Sequence, residues 1–166
     1  MEARPLTSAP PVTTRVDEFR AALPEGGVLI GIDTGTKTIG TAVCDAGWRF
    51  ASPGKPIERG KFARDRAAIE GLAKERSAVG IVVGLPLNMD GSESPRSQSA
   101  RAYARNLAVL AMPVLLWDER WSTVAAERAL IDQDMSRAKR KERIDSAAAA
   151  TILQAALDAL TGGAER

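Results

Sequence analysis

The chain switches between unbroken apolar runs and segments of helical period, and that switching sets the expected architecture. VLIGID (residues 28–33) opens with the continuous apolar run of a strand covered on both faces. Residues 38–44 and 47–52 read as two more strands, with Thr34–Lys37 and Asp45–Gly47 as the turns between them. FARDRAAIEGLAKERS (62–77) predicts a helix crossed by Gly71, which costs about 1 kcal/mol relative to Ala. GIVVGL (80–85) and PVLLW (113–117) predict two further buried strands. Between them LNMDGSE is a loop, and Ser94-Pro95 starts a helix with a capping residue followed by proline in the first turn. Ser122 or Thr123 caps a helix through about Asp132, QDMSRAKRKER is polar and basic, and a last helix runs from about Ile144 to Leu160.

A three-strand antiparallel meander followed by strands that alternate with helices predicts an α/β fold, a mixed sheet whose later strands join in parallel, with flanking helices. The expected division is a flexible N-terminal tail at 1–26, one domain at 27–161 and a short C-terminal tail at 162–166. Pro10-Pro11 resists regular structure within 1–14, and RVDEFRAALPEGG could form a short helix stopped at Pro24.

Composition narrows the chemistry. The chain has 166 residues, one cysteine and no histidine. A single Cys44 excludes an intrachain disulfide and a multi-cysteine zinc site, and reads as a small buried hydrophobe. Without histidine there is no Ser-His-Asp triad, Cys-His pair or His-ligated metal. Carboxylates, Lys, Arg, hydroxyls or one thiol must do whatever is done. No run approaches the ~20 apolar residues of a membrane span, so a soluble cytoplasmic protein without membrane association is expected.

Three acids stand where hydrocarbon would be expected. Asp33 closes the first apolar strand and Glu119 lies just past PVLLW, which places both at one edge of the sheet. Helical steps from Asp145 reach Ala149, Ile152, Ala156 and Leu160, the apolar stripe of the last helix. Buried acids need partners, and three converging carboxylates repel one another. A bound cation resolves this, and all-oxygen ligands favour Mg²⁺ or Mn²⁺. Plainer readings stand beside it: Asp33 capping the Thr-Gly turn, Glu119 paired with Arg120 or Arg128, Asp145 as a first-turn helix acid. NMDGSESPR serves equally as turn and cap or as a phosphate-binding helix N-terminus.

GIDTGTKTIGTAVCD, IVVGLPLNMDGSES, WDERWST and IDSAAAATILQAALD together resemble the YqgF-type (RuvX-type) family, described both as pre-16S rRNA nucleases and as Holliday-junction resolvases. The resemblance runs from about Gly27 to Leu160. It implies an RNase H-like fold, metal-dependent phosphodiester hydrolysis, and Asp33, Glu119 and Asp145 as the catalytic, metal-binding acids. Departures are Thr38 where the family often has Arg, Cys44 where Ser is common and Trp121 where Leu is usual. In such a site two cations about 3.5–4 Å apart clamp the scissile phosphate. Lys37 is a candidate to position or neutralise it.

SRAKRKER places Arg137, Lys139, Arg140 and Lys141 just before Asp145, where they would flank the acids and meet a polyanion. Arg59, Lys61, Arg64 and Arg66 would extend that track. The leading expectation is a nuclease acting on structured RNA of ribosomal precursors. Branched DNA is the alternative substrate, and a non-catalytic RNA-binding maturation factor the alternative class. A nucleotide-binding phosphotransferase would need a second domain around the nucleotide, for which the chain is too short.

Overall fold

A computed structural model describes residues 9–122 and 137–162, the side chains of 137–146 lying outside that description. In chain order the elements are β1 (Val12–Thr13), α1 (Val16–Ala22), β2 (Val28–Thr34), β3 (Thr38–Cys44), β4 (Ala51–Pro53), β5 (Ile57–Glu58) and α2 (Phe62–Arg76). There follow β6 (Ala78–Leu85), α3 (Pro95–Leu107), a 3₁₀ turn (Ala108–Leu110), β7 (Val114–Asp118), a second 3₁₀ turn (Glu119–Trp121) and α4 (Arg137–Thr161).

The strands form one mixed sheet in the order β1-β7-β6-β2-β3-β4, with β5 also paired to β3. β2, β3 and β4 make the expected antiparallel meander, while β6, β7 and β1 add in parallel on the other side of β2. Strand alternation then divides the core into two layers. Leu29, Ala42, Val82, Leu115 and Trp117 pack with Ala148, Ile152 and Leu157 of α4. Ile30, Ile32, Ile81, Val83 and Leu116 pack with Ile69 of α2 and Ala104 and Leu107 of α3. The stripe read on the last helix is buried throughout: Ala149, Ile152, Ala156 and Leu160 are fully inaccessible.

Glycine lets α4 come down on the sheet. A Cβ at Gly31 would stand 2.9 Å from the Ala149 carbonyl oxygen and 2.9 Å from the Leu153 Cβ. At the far end of the sheet Gln154 fixes the helix, accepting the Ala51 N–H at 2.9 Å and donating to the Arg49 carbonyl at 3.0 Å. The direction of α4 follows: Gln154 lies toward the start of β2, so residues before Ala149 run toward its carboxyl end.

Three expectations need correction, and one strand is additional. The segment read as tail contains a strand, because Pro11, Val12 and Thr13 reach β7 in parallel: the Val114 N–H donates to the Pro11 carbonyl at 2.9 Å, and Thr13 is buried. The second meander turn is longer than Asp45–Gly47. The Asp45 carboxylate gathers the N–H groups of Gly47, Arg49 and Phe50, delaying β4 to Ala51, and these bonds, the Phe50 one foremost, hold its carboxyl below the usual range. β5 was not foreseen; Thr38 and Ile39 pair with Glu58 and Ile57. Finally α4 begins at Arg137, seven residues ahead of the expected Ile144, so the basic segment is helical. Its Arg, Ala, Lys and Glu are good helix formers that extend a helix packed further along. The helix expected from Ser122 or Thr123 to Asp132 lies outside the described residues beyond Ser122, which itself closes the second 3₁₀ turn by donating to the Glu119 carbonyl at 3.0 Å. Among the described residues no helix is long and apolar enough to cross a membrane.

Because backbone meets the missing Cβ at Gly31, Gly31→Ala should destabilise the fold by about 1–3 kcal/mol, the usual cost of overpacking. Urea unfolding of the two proteins reads this directly; equal midpoints would mean that α4 can ride up without cost.

Candidate active site at the carboxyl edge of the sheet

Alternation assigns Leu29, Gly31 and Asp33 of β2 to the face that α4 covers, together with Val82 and Gly84 of β6. Asp33 is 1% exposed. On β3 it pairs with Gly40, and Gly84 lies one step beyond the Ile32–Val83 pair on β6. The carboxylate is therefore flanked by two residues without side chains.

Glu119 reaches the same ground from the other side. β7 places Trp117 opposite Gly84, and the 3₁₀ turn then brings Glu119 back over the sheet. A Cβ at Gly84 would lie 2.9 Å from Glu119 Oε2 and 2.5 Å from Ile152 Cδ1. So the Glu119 carboxylate occupies the space that Gly84 leaves open, between β7, β6 and α4. It too is buried.

The neighbouring Asp118 is the acid that holds Arg120. Asp118 caps the turn, accepting the Arg120 N–H at 3.0 Å, and its Oδ2 takes Arg120 Nη2 at 2.6 Å. The guanidinium also donates to the Met89 carbonyl at 3.3 Å. Arg120 is committed to Asp118 and to the loop after β6. Trp121, 57% exposed, stands edge-on against Trp117 with ring centroids 5.3 Å apart.

The third acid, Asp145, falls within α4, one turn before Ala149, and its side chain lies outside the described residues. The same holds for Arg137, Lys139, Arg140 and Lys141. Among the described residues no group of three His, Cys, Asp or Glu side chains gathers as a metal site, and two of the three expected acids, Asp33 and Glu119, are buried on the same face, on either side of Gly84. Lys37 is exposed in the turn that follows Asp33.

Two arginines on this edge make contacts near Asp33 that the sequence does not announce. Arg96, the second residue of α3, approaches Asp33 Oδ1 to 3.9 Å and the Thr34 carbonyl to 3.5 Å. Arg59 donates to the Gly35 carbonyl at 2.7 Å and lies over the Tyr103 ring. Arg59 therefore anchors the β2–β3 turn, rather than standing free for a nucleic-acid track. Burial, reinforced by Asp65, pushes the Tyr103 phenol far above its ordinary range, so it keeps its proton and points it at Asp65 Oδ2. No local sequence signal announces either arginine contact, since each joins residues far apart in the chain.

NMDGSESPR is occupied as turn and cap. Asp90 accepts from the Ser92 N–H and hydroxyl, and Ser94 and Ser97 form a reciprocal capping box on either side of Pro95. Cys44 is buried, accepts the Leu29 N–H at 3.2 Å, and has its thiol pKa raised by that burial.

Comparison with known proteins gives the chain a family. Residues 27–159 match the model of a family described as RuvX: Holliday junction resolvase. A Sphingopyxis alaskensis protein named "Putative pre-16S rRNA nuclease" is 66% identical over 150 residues, covering 90% of this chain and 99% of its own. One of the same name from Novosphingobium aromaticivorans is 67% identical over 153 residues, covering 92% and 99%. Among solved structures, Thermus thermophilus RuvC in complex with a Holliday junction substrate superposes with a TM-score of 0.50 at 16% identity, over 82% of this chain and 96% of that one. What the two share is the fold, an RNase H-like mixed sheet with flanking helices. By its family match and its close relatives, the chain belongs to the RuvX family and is a nuclease.

Proposed function

We propose that this nuclease cuts the precursor of 16S ribosomal RNA at its 5′ side, using Asp33, Glu119 and Asp145 to hold divalent metal. The observation that carries the reading is the pair of buried carboxylates, Asp33 and Glu119, meeting across Gly84. Hard oxygen donors in space that a single Cβ would fill suit Mg²⁺ or Mn²⁺ rather than a softer ion. A bound pair of such ions supplies activation of water and stabilisation of the leaving oxygen. The chain's own residues fix the rest. β2 aims Asp33 rigidly from a strand end, the Asp118–Arg120 clamp turns Glu119 inward, and α4 carries residue 145 toward the same edge. Lys37 borders the edge on the exposed side and neutralises phosphate there.

The relatives' names favour ribosomal precursor RNA, whereas the family description and the RuvC likeness favour a four-way DNA junction as the second reading. Cleavage of both substrates by the intact protein and by Asp33→Asn decides between them. Greater activity on the precursor supports RNA processing, and greater activity on the junction supports resolution. Cleavage untouched by the substitution would place the site elsewhere. Asp33→Asn, Glu119→Gln and Asp145→Asn should each lower turnover by roughly two orders of magnitude or more while the protein stays folded. Chelation should abolish activity, Mg²⁺ or Mn²⁺ should restore it, and ATP should have no effect. Two of the three variants cutting at the wild-type rate would end the assignment.

Gly84→Ala tests the geometry without touching an acid. The added methyl pushes against Glu119 and the end of Ile152, so turnover should fall by about 10²-fold, the cost of a misplacement near 1 Å. Circular dichroism should show the fold retained; full activity would mean that Glu119 need not sit where it does.

The basic first turns of α4 serve binding. Replacing Arg137, Lys139, Arg140 and Lys141 with Ala should weaken affinity for nucleic acid and make the log-log salt dependence shallower by up to roughly three units. Saturating substrate should then recover much of the rate, because uniform binding has been lost. The slope is measured in an Asp33→Asn background. An unchanged slope would mean that these residues only solvate the surface.

A further inference from the structure

Arg96 is held unlike the other arginines of this edge. Arg120 closes on Asp118 at 2.6 Å, Arg101 grips both oxygens of Glu93 at 3.0 Å, and Arg59 donates to Gly35 at 2.7 Å. Each is committed to a short contact. Among the described residues Arg96 makes only long ones: Nη2 lies 3.5 Å from the Thr34 carbonyl and 3.9 Å from Asp33 Oδ1. Charge-assisted bonds ordinarily close to about 2.7–2.9 Å. Its Nε is buried and meets no acceptor among the described residues, yet the side chain as a whole is 41% exposed. The backbone beneath is fixed, since Arg96 stands in the first turn of α3 between Ser94 and Ser97, the two halves of the capping box. A planar cation with spare donors is thus fixed at its base, loosely engaged at its tip, and open to an anion beside Asp33.

We propose that Arg96 is a catalytic residue of the hydrolysis, its guanidinium taking a non-bridging oxygen of the scissile phosphodiester and stabilising the charge that builds there in the transition state. This rests on the placement of the nuclease site at Asp33 and Glu119. Arg96 forms no covalent bond and keeps its proton throughout. Water adds its oxygen to phosphorus, the bond to the leaving sugar oxygen breaks, and the proton released by water ends on that oxygen. A forked donor fits phosphate better than an ammonium does, and aimed at the growing charge it acts where charge stabilisation is most effective. The long contacts with Thr34 and Asp33 are the resting position, and phosphate replaces them at little cost.

The alternative is that Arg96 only offsets the charge of Asp33 and acts through it. Arg96→Gln and Arg96→Lys separate the two when single-turnover cleavage at saturating substrate is measured beside Mn²⁺ affinity by calorimetry. Whichever of the precursor RNA and the junction the wild type cuts is the substrate. With Gln, the rate should fall roughly 10²–10³-fold, as when one transition-state donor is removed. Mn²⁺ should bind as tightly as before or more tightly, because a positive charge beside Asp33 is gone. With Lys, part of the rate should return. Mn²⁺ affinity falling in step with the rate would reduce Arg96 to a support of Asp33, and an unchanged rate would remove it from the reaction. If Arg96→Gln does not fold, the Lys variant decides, since a wild-type rate there excludes the forked contact. Failure of the underlying site looks different: Asp33→Asn then cuts normally. Loss in Asp33→Asn with none in either Arg96 variant overturns this proposal alone.

Discussion

Two carboxylates can share the covered face of this sheet because glycine lies between and beside them. Asp33 is paired with Gly40 and has Gly84 next to it on the other neighbouring strand, and Glu119 fills the room above Gly84. A side chain at 84 would close that room, and one at 31 would lift α4. The same helix that completes the core, through Ala149, Ile152 and Leu153, therefore also roofs the acids. Packing and chemistry are not separable here. The helix can approach only where the strands are bare, and the carboxylates can be buried only where the helix approaches.

Burying acids costs energy unless charge is answered. The chain handles its three strand-end carboxylates differently. Asp118 is given a full partner in Arg120, and the pair spans from β7 to the loop after β6. Asp33 is approached by Arg96 at 3.9 Å. Glu119 lies buried over Gly84. This division sorts two adjacent acids, Asp118 and Glu119, into a structural clamp and a buried candidate for the site.

Much of this could be read before any coordinates. Long apolar strands and a helix whose stripe runs through Ala149, Ile152, Ala156 and Leu160 are periodic signals that tertiary packing reinforces, so β2, β6, β7 and the packed part of α4 fall where expected. What escaped was short, or had no period. Val12–Thr13 is two residues that become a strand only because β7 has an unpaired side. The basic start of α4 has no apolar stripe and is helical through propensity and continuity, which a search for periodicity passes over. In the site, Asp33 and Glu119 were legible because an acid at the end of an apolar strand breaks a strong pattern. Arg96 and Gly84 were not. An arginine after Ser94-Pro95 looks like any helix start, and a glycine in GIVVGL looks like a strand residue until Glu119 is seen above it.

The two margins of the sheet have a consequence for the company this protein keeps. β7 is five buried residues long and would present an open ladder if it were outermost. β1 covers it and is itself only two residues, with α1 starting almost at once. On the opposite side β4 is three residues and ends in Pro53, which has no N–H to offer. Short, proline-marked rims blunt strand-to-strand addition between molecules, the route by which exposed sheets aggregate. A chain rich in buried β structure is thereby left with little to offer another strand at either rim, and a nucleic acid, unlike a strand, needs neither rim to bind.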